Sequence, residues 1–141
     1  MPSADLGGRR PVIVVDASVI APALADDADD GDRARERLRG ERLAAPEVMD
    51  LQVASVIRRA LLAGDLDERR AAFALDDLRA LSLRRADHLR LLPRIWELRH
   101  NLTPYDAAYV ALAEALDALL VTADQRLSQA AGPRCSIEQI L

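Results

Sequence analysis

Two short apolar runs that lead into aspartates constrain this chain more than any other feature. Pro11-Val12-Ile13-Val14-Val15 is mostly β-branched and stops at Asp16, and residues 118–122 form a second apolar run that reads as a buried strand, with Asp124 just beyond it. A β-branched run without polar alternation suits a strand inside a parallel sheet, covered on both faces. Helical patterns and shorter strand-like pieces fill the space between them. This order predicts an α/β fold of three layers, a short, mainly parallel sheet flanked by helices. Residues 1–10 read as a flexible leader and 11–141 as a single domain, with no internal repeat or linker.

The local signals are as follows. After Asp16, Ala17-Ser18 reads as a turn, followed by a short apolar segment over 19–24. Residues 26–32 read as an acidic, solvated loop, and 32–39 as a short helix stopped by Gly40. A strand is expected over 43–45. Pro46 then opens a helix over 47–62, with Val48, Leu51, Val53, Val56 and Leu62 among its inward residues. Asp67 caps a helix over 68–80, with Phe73, Leu75 and Leu78 inward. A strand over 81–83 and a helix over 88–100 carrying Trp96 come next. Thr103-Pro104-Tyr105-Asp106 is a strong helix start: a capping hydroxyl, a proline at the first helical position and an acid at the third. That helix runs to 116. A short helix follows Asp124, and a last strand is expected over 135–137.

Composition then removes whole classes of chemistry. Hydrophobic residues make up 50% of the 141 positions and aromatics only 3%, so the core is built from Ala, Leu, Val and Ile. All 19 basic residues are Arg. Without Lys there is no Walker-type phosphate loop and no Schiff-base or Ser-Lys chemistry. The single Cys135 forms no intrachain disulfide, and with only His88 and His100 beside it no four-ligand Cys/His zinc site is possible. Cys135 reads as a small buried hydrophobe. The N-terminus carries Asp5 and lacks an apolar signal core, and no run approaches the ~20 apolar residues of a membrane span. A soluble, cytoplasmic protein without a membrane partner is expected.

What remains is carboxylates, Arg and hydroxyls. Ligands of open α/β sheets sit beyond the carboxyl ends of the strands, where Asp16 and Asp124 lie. Asp106 joins them from the first turn of an otherwise Ala/Leu/Val-rich helix. Three converging acids repel one another and call for a hard divalent cation, on which water becomes a nucleophile for phosphodiester hydrolysis. Each acid taken alone reads equally as a helix cap or an Asx turn.

The motifs taken together are more specific. Val14-Val15-Asp16-Ala17-Ser18 is followed by Ala45-Pro46, Asp50-Leu51-Gln52-Val53 and Arg58-Arg59. Then come Thr103-Pro104-Tyr105-Asp106-Ala107-Ala108-Tyr109-Val110-Ala111-Leu112-Ala113 and Leu120-Val121-Thr122-Ala123-Asp124-Gln125-Arg126-Leu127. This series resembles the PIN-domain ribonucleases, specifically the VapC-type toxins of bacterial toxin–antitoxin pairs, from residue 12 to the C-terminus. The resemblance implies a Mg²⁺- or Mn²⁺-dependent endoribonuclease acting on RNA, a cognate antitoxin whose tail inserts an Arg among the acids, and a homodimer. By this resemblance Asp16, Asp106 and Asp124 are catalytic metal ligands, with the hydroxyls of Thr122 and Ser18 supporting them. One position departs, since Gln52 stands where the family has a Glu. A Gln carbonyl accepts hydrogen bonds but adds no negative charge and cannot act as a base, so metal affinity and rate should both fall. The alternative is a catalytically silent PIN-fold module that binds RNA or antitoxin without cutting. Neither Asp50 nor Glu47 is expected to replace the missing acid, because Asp50 lies about 200° away around an ideal helix and Glu47 suits the helix N-terminus.

Arg33, Arg35, Arg37, Arg39, Arg58 and Arg59 fit a phosphate-bearing partner. Interleaved acids such as Asp32, Glu36 and Glu41 predict surface ion pairs for many of them. With a net charge of -4, any RNA surface has to be local. Trp96 and Tyr105 read as core or interface residues, with base stacking as the other use.

Overall fold

Strand β1 (Val12–Val15) lies at the centre of the sheet, as its β-branched run predicts. The computed structural model describes residues 10–141, so the expected leader lies, apart from Arg10, outside the described residues. Five parallel strands stand in the order β3-β2-β1-β4-β5, with β2 (Arg42–Pro46), β3 (Arg84–Ala86), β4 (Leu119–Thr122) and β5 (Ile137–Gln139). The helices fall into two groups. Helix α1 (Ala17–Ala25) packs on α2 (Asp29–Leu38), α3 (Val48–Leu62) and α4 (Glu68–Ala80); α5 (Leu92–Glu97) packs on α6 (Pro104–Leu116). The chain moves one way across the sheet from β1 to β3 and the other way from β3 to β5, so right-handed crossovers put the two groups on opposite faces. The result is the expected three-layer α/β fold. Val14, Val15, Leu120 and Val121 are fully buried between the layers, and Ala107, Val110 and Ala111 of α6 face them with small side chains.

The strand order reverses its direction of growth between β1 and β4. Ligands bind at such a switch point, beyond the carboxyl ends of the strands. Asp16 and Asp124 follow those two strands, and Asp124 opens α7 (Gln125–Ser128).

Several local expectations change. The turn at Ala17-Ser18 is the first turn of α1, because the Asp16 carboxylate caps it by accepting the Ser18 N–H at 3.1 Å. The acidic loop over 26–32 is half helical. Asp26 accepts the Ala28 N–H, and α2 then begins at Asp29, with three acids in its first turn facing the positive helix end. Pro46 is the last residue of β2 rather than the first of a helix. In α3 the buried row is Met49, Val53 and Ile57, at four-residue spacing, while Leu51 is 72% exposed on the far side and Leu62 is exposed as well. In α4, Ala71, Ala74 and Leu78 face inward; the small alanines permit close helix approach, and Phe73 lies outside under the Arg69 guanidinium.

The third strand is Arg84–Ala86, not 81–83, because it pairs in register with Ala44, Ala45 and Pro46. The helix expected over 88–100 is a 3-10 turn, Leu89–Leu91, followed by α5, with Pro93 in its first turn. Trp96 is 65% exposed beside Arg99, and Tyr105 is exposed, so neither is a core residue. The last strand is Ile137–Gln139, and Cys135 lies half-buried before it, with burial raising its thiol pKa. No helix among the described residues is long and apolar enough to cross a membrane.

Candidate active site

Asp16 is one of two buried polar side chains among the described residues. It is 6% exposed, and its two carboxylate oxygens are held by hydroxyls from two separate elements. Ser18 Oγ donates to Oδ1, and Thr122 Oγ1 donates to Oδ2 at 2.5 Å. Ser18 Oγ in turn accepts the Ala123 N–H at 2.8 Å, and Thr122 Oγ1 accepts the Asp124 N–H at 3.0 Å. The start of α1 and the end of β4 are thereby tied together through one carboxylate. Burial pushes the Asp16 pKa up to about 6, with the Asp106 charge adding to it and the Ser18 and Thr122 hydrogen bonds opposing it.

Asp106 sits in the first turn of α6, where the Thr103 hydroxyl accepts its N–H at 3.2 Å. Its pKa is also raised, first by burial and then by the Asp124 charge, against the opposing Arg126 charge. Asp124 caps α7 by accepting the Arg126 N–H at 2.9 Å, and its other oxygen lies 3.5 Å from the Arg126 guanidinium. The three acids share one cleft of about 330 Å³ with Ser18, Gln52, Ser55, Arg59 and Tyr109. Thr122 supports Asp16 from beneath.

Gln52 reaches the cleft from α3, and its side-chain carbonyl accepts the Tyr109 O–H at 2.6 Å. Burial and the Asp16 charge raise the Tyr109 pKa, which keeps the phenol protonated and donating. Asp50 is held elsewhere, its carboxylate accepting from Arg85 Nε at 2.8 Å. Glu47 is exposed at the head of α3.

A family model described as "PIN domain" matches residues 13–133. The chain belongs to the PIN-domain family. Within the family it is of the VapC ribonuclease toxin type. VapC ribonuclease Mb0985 of Mycobacterium bovis is 44% identical over 126 residues, which cover 89% of this chain and 96% of that protein. Ribonuclease VapC1 of Mycobacterium tuberculosis is 42% identical over 128 residues, covering 90% and 96%. Solved structures share the fold at lower identity. PAE2754 from Pyrobaculum aerophilum superposes with a TM-score of 0.65 at 24% identity, covering 94% of this chain and 87% of its own. VapC20 of Mycobacterium tuberculosis, a sarcin-ricin loop cleaving toxin, superposes at 0.65 with 17% identity, covering 82% and 92%.

The acids and hydroxyls of this PIN cleft offer oxygen donors, and two of its carboxylates carry pKa values raised first by burial and then by a neighbouring carboxylate charge. That chemistry suits a hard divalent ion which keeps part of its water shell. Among the described residues, however, no group of three or more Asp, Glu, His and Cys side chains is drawn close enough to enclose a metal unaided. Asp124 is turned instead to its own helix and Arg126.

Residue-by-residue reading missed the role of Tyr109 and the place of Ser55 and Arg59 in the cleft. The signal was present: Tyr109 stands one turn beyond Asp106, and Ser55 and Arg59 share a helix face with Gln52.

Proposed function

We propose that this VapC-type chain is a Mg²⁺- or Mn²⁺-dependent endoribonuclease that hydrolyses RNA phosphodiester bonds, is neutralised by a cognate antitoxin and works as a homodimer. The observation that carries this reading is the shared cleft of Asp16, Asp106 and Asp124 at the switch point of the sheet, in a chain 44% identical to a VapC ribonuclease. Asp16, Asp106 and Asp124 would hold the ion. When bound, it supplies positive charge against the charge developing on a phosphodiester and acidifies water for attack. Ser18 and Thr122 keep the Asp16 carboxylate in one orientation, so no side-chain reorganisation is needed there. Gln52 leaves the site one negative charge short, which weakens metal affinity and slows the reaction.

A catalytically silent module is the second reading, and one observation favours it: the Gln52 carbonyl is already engaged by Tyr109. The test is RNA cleavage with Mg²⁺ or Mn²⁺ and with EDTA, in the chain as it stands and in Gln52→Glu. The expected outcome is metal-dependent cleavage in both forms, faster in the Glu form. Cleavage only after Gln52→Glu selects the silent module, and none in either folded form overturns the ribonuclease reading.

A further inference from the structure

We infer that the α3 wall of the cleft, made of Gln52, Ser55 and Arg59, binds the phosphate backbone of the RNA substrate. The inference rests on the ribonuclease reading above and assigns this chain's own contacts to the substrate.

These three residues stand at i, i+3 and i+7, within about 60° of one another around the helix and about 10 Å apart along it. All three line the same cleft as the acids. Because Tyr109 occupies the Gln52 carbonyl at 2.6 Å, the end of the amide left for the cleft is its NH₂, with two donors. Position 52 therefore offers the cleft hydrogen-bond donors, with one lone pair of its oxygen already taken by Tyr109. Ser55 Oγ accepts from Arg59 Nη1 at 3.2 Å, which leaves its own proton to donate outward.

Arg59 has no acid partner among the described residues. Arg33, Arg35, Arg37, Arg39, Arg70, Arg85 and Arg94 each pair with an acid. Among the described residues no carboxylate lies in ion-pair range of Arg59, although three acids line its cleft. One wall of the cleft is thus anionic and the other carries an amide, a hydroxyl and a guanidinium. A polyanion entering it is repelled from the first wall and held by the second. Arg is well matched to phosphate oxygens, and the neutral donors fix register without adding charge.

The test is binding of a short, fluorescein-labelled, mixed-sequence RNA oligonucleotide to the full chain in EDTA, read by anisotropy across a salt series. Circular dichroism checks that each variant is folded. Arg59→Ala should weaken binding about tenfold and make the log–log salt dependence shallower by about 0.7. Arg33→Ala removes the same charge from α2, outside the cleft, and should change affinity less than twofold by analogy with ordinary surface sites. Gln52→Ala should weaken binding several-fold with the salt slope unchanged. Gln52→Glu should weaken metal-free RNA binding while tightening Mn²⁺, measured by electron paramagnetic resonance of the free ion. The inference is overturned if Arg59→Ala behaves as Arg33→Ala does, or if Gln52→Glu tightens RNA in EDTA. Those results leave the ribonuclease reading standing if RNA is still cut. A wild-type chain that neither binds nor cuts RNA overturns both.

Discussion

The Thr122 hydroxyl donates to the Asp16 carboxylate across 106 residues of sequence, joining the carboxyl ends of β4 and β1. Thr122 is fully buried and also accepts the Asp124 N–H, so one hydroxyl orients two of the three cleft acids. Thr122→Val keeps the shape and removes both interactions. It should destabilise the fold by about 1–3 kcal/mol, since a buried carboxylate loses a partner. Thr122→Ser should recover most of this, as urea unfolding of the two variants will show. Equal stability of the Val and Ser forms would contradict the arrangement.

Asp16 should cost the metal-free protein stability at neutral pH. Its folded pKa, raised to about 6, lies above the unfolded value near ~3.9. Its contribution is therefore fully present below the unfolded pKa and lost as pH rises through 6. Asp16→Asn keeps a side chain that can cap α1 and removes the buried charge. In EDTA at pH ~7 it should be more stable than wild type by about 1–2 kcal/mol. Added Mn²⁺ should raise Tm for wild type and leave the variant unmoved. Calorimetry with and without the ion tests both signs.

Glu114 behaves in the opposite sense. Burial pushes its carboxyl up, but paired hydrogen bonds from Arg94 at 2.7 and 3.1 Å and the Arg134 N–H outweigh that and hold its pKa below the usual carboxylate range. A depressed folded pKa contributes stability above the unfolded value near ~4.3 that is lost as pH falls through the folded value. Glu114→Gln should cost about 2 kcal/mol at neutral pH and flatten the acid limb of the stability profile. An acid limb identical to wild type would contradict the pairing.

Gly31 sets helix propensity against packing. Alanine is favoured over glycine inside a helix by about 1 kcal/mol. A Cβ on Gly31 would meet the Asp26 carbonyl oxygen at 1.8 Å, where α2 crosses the end of α1. Backbone gives way less readily than a side-chain tip, so Gly31→Ala should destabilise by about 1–3 kcal/mol. Thermal unfolding decides the sign, and a raised Tm would show that the contact relaxes freely.

Elements whose signals are local were legible in the sequence. Thr103 and Asp67 cap the helices they were expected to cap, and the hydrophobic runs before Asp16 and Asp124 are neighbouring central strands. Which face of each helix turns inward was less legible. Leu51 and Phe73 looked like core residues, yet Met49 and Ala74 took those places. In α3 and α4 the Ala, Leu, Val and Phe side chains spread over more than one face, so the approach of neighbouring helices decides which of them is buried. The acids were found as residues, whereas their environments were not. Asp16 and Asp124 each cap a following helix, a reading open to any strand-end aspartate, but nothing local says that Asp16 is the buried one.

The sequence by itself determined the chemistry on offer: oxygen ligands, Arg and hydroxyls, with no Lys and a Gln among the motif residues. It also determined a parallel α/β fold, because β-branched runs alternating with helical patterns pack in few other ways. Only the tertiary structure decided which end of the Gln52 amide is engaged within the protein. A side-chain amide has an acceptor end and a donor end, and sequence cannot choose between them. Tyr109, 57 residues away, makes that choice by donating to the carbonyl, and it can do so only once α6 and α3 meet at the carboxyl end of the sheet.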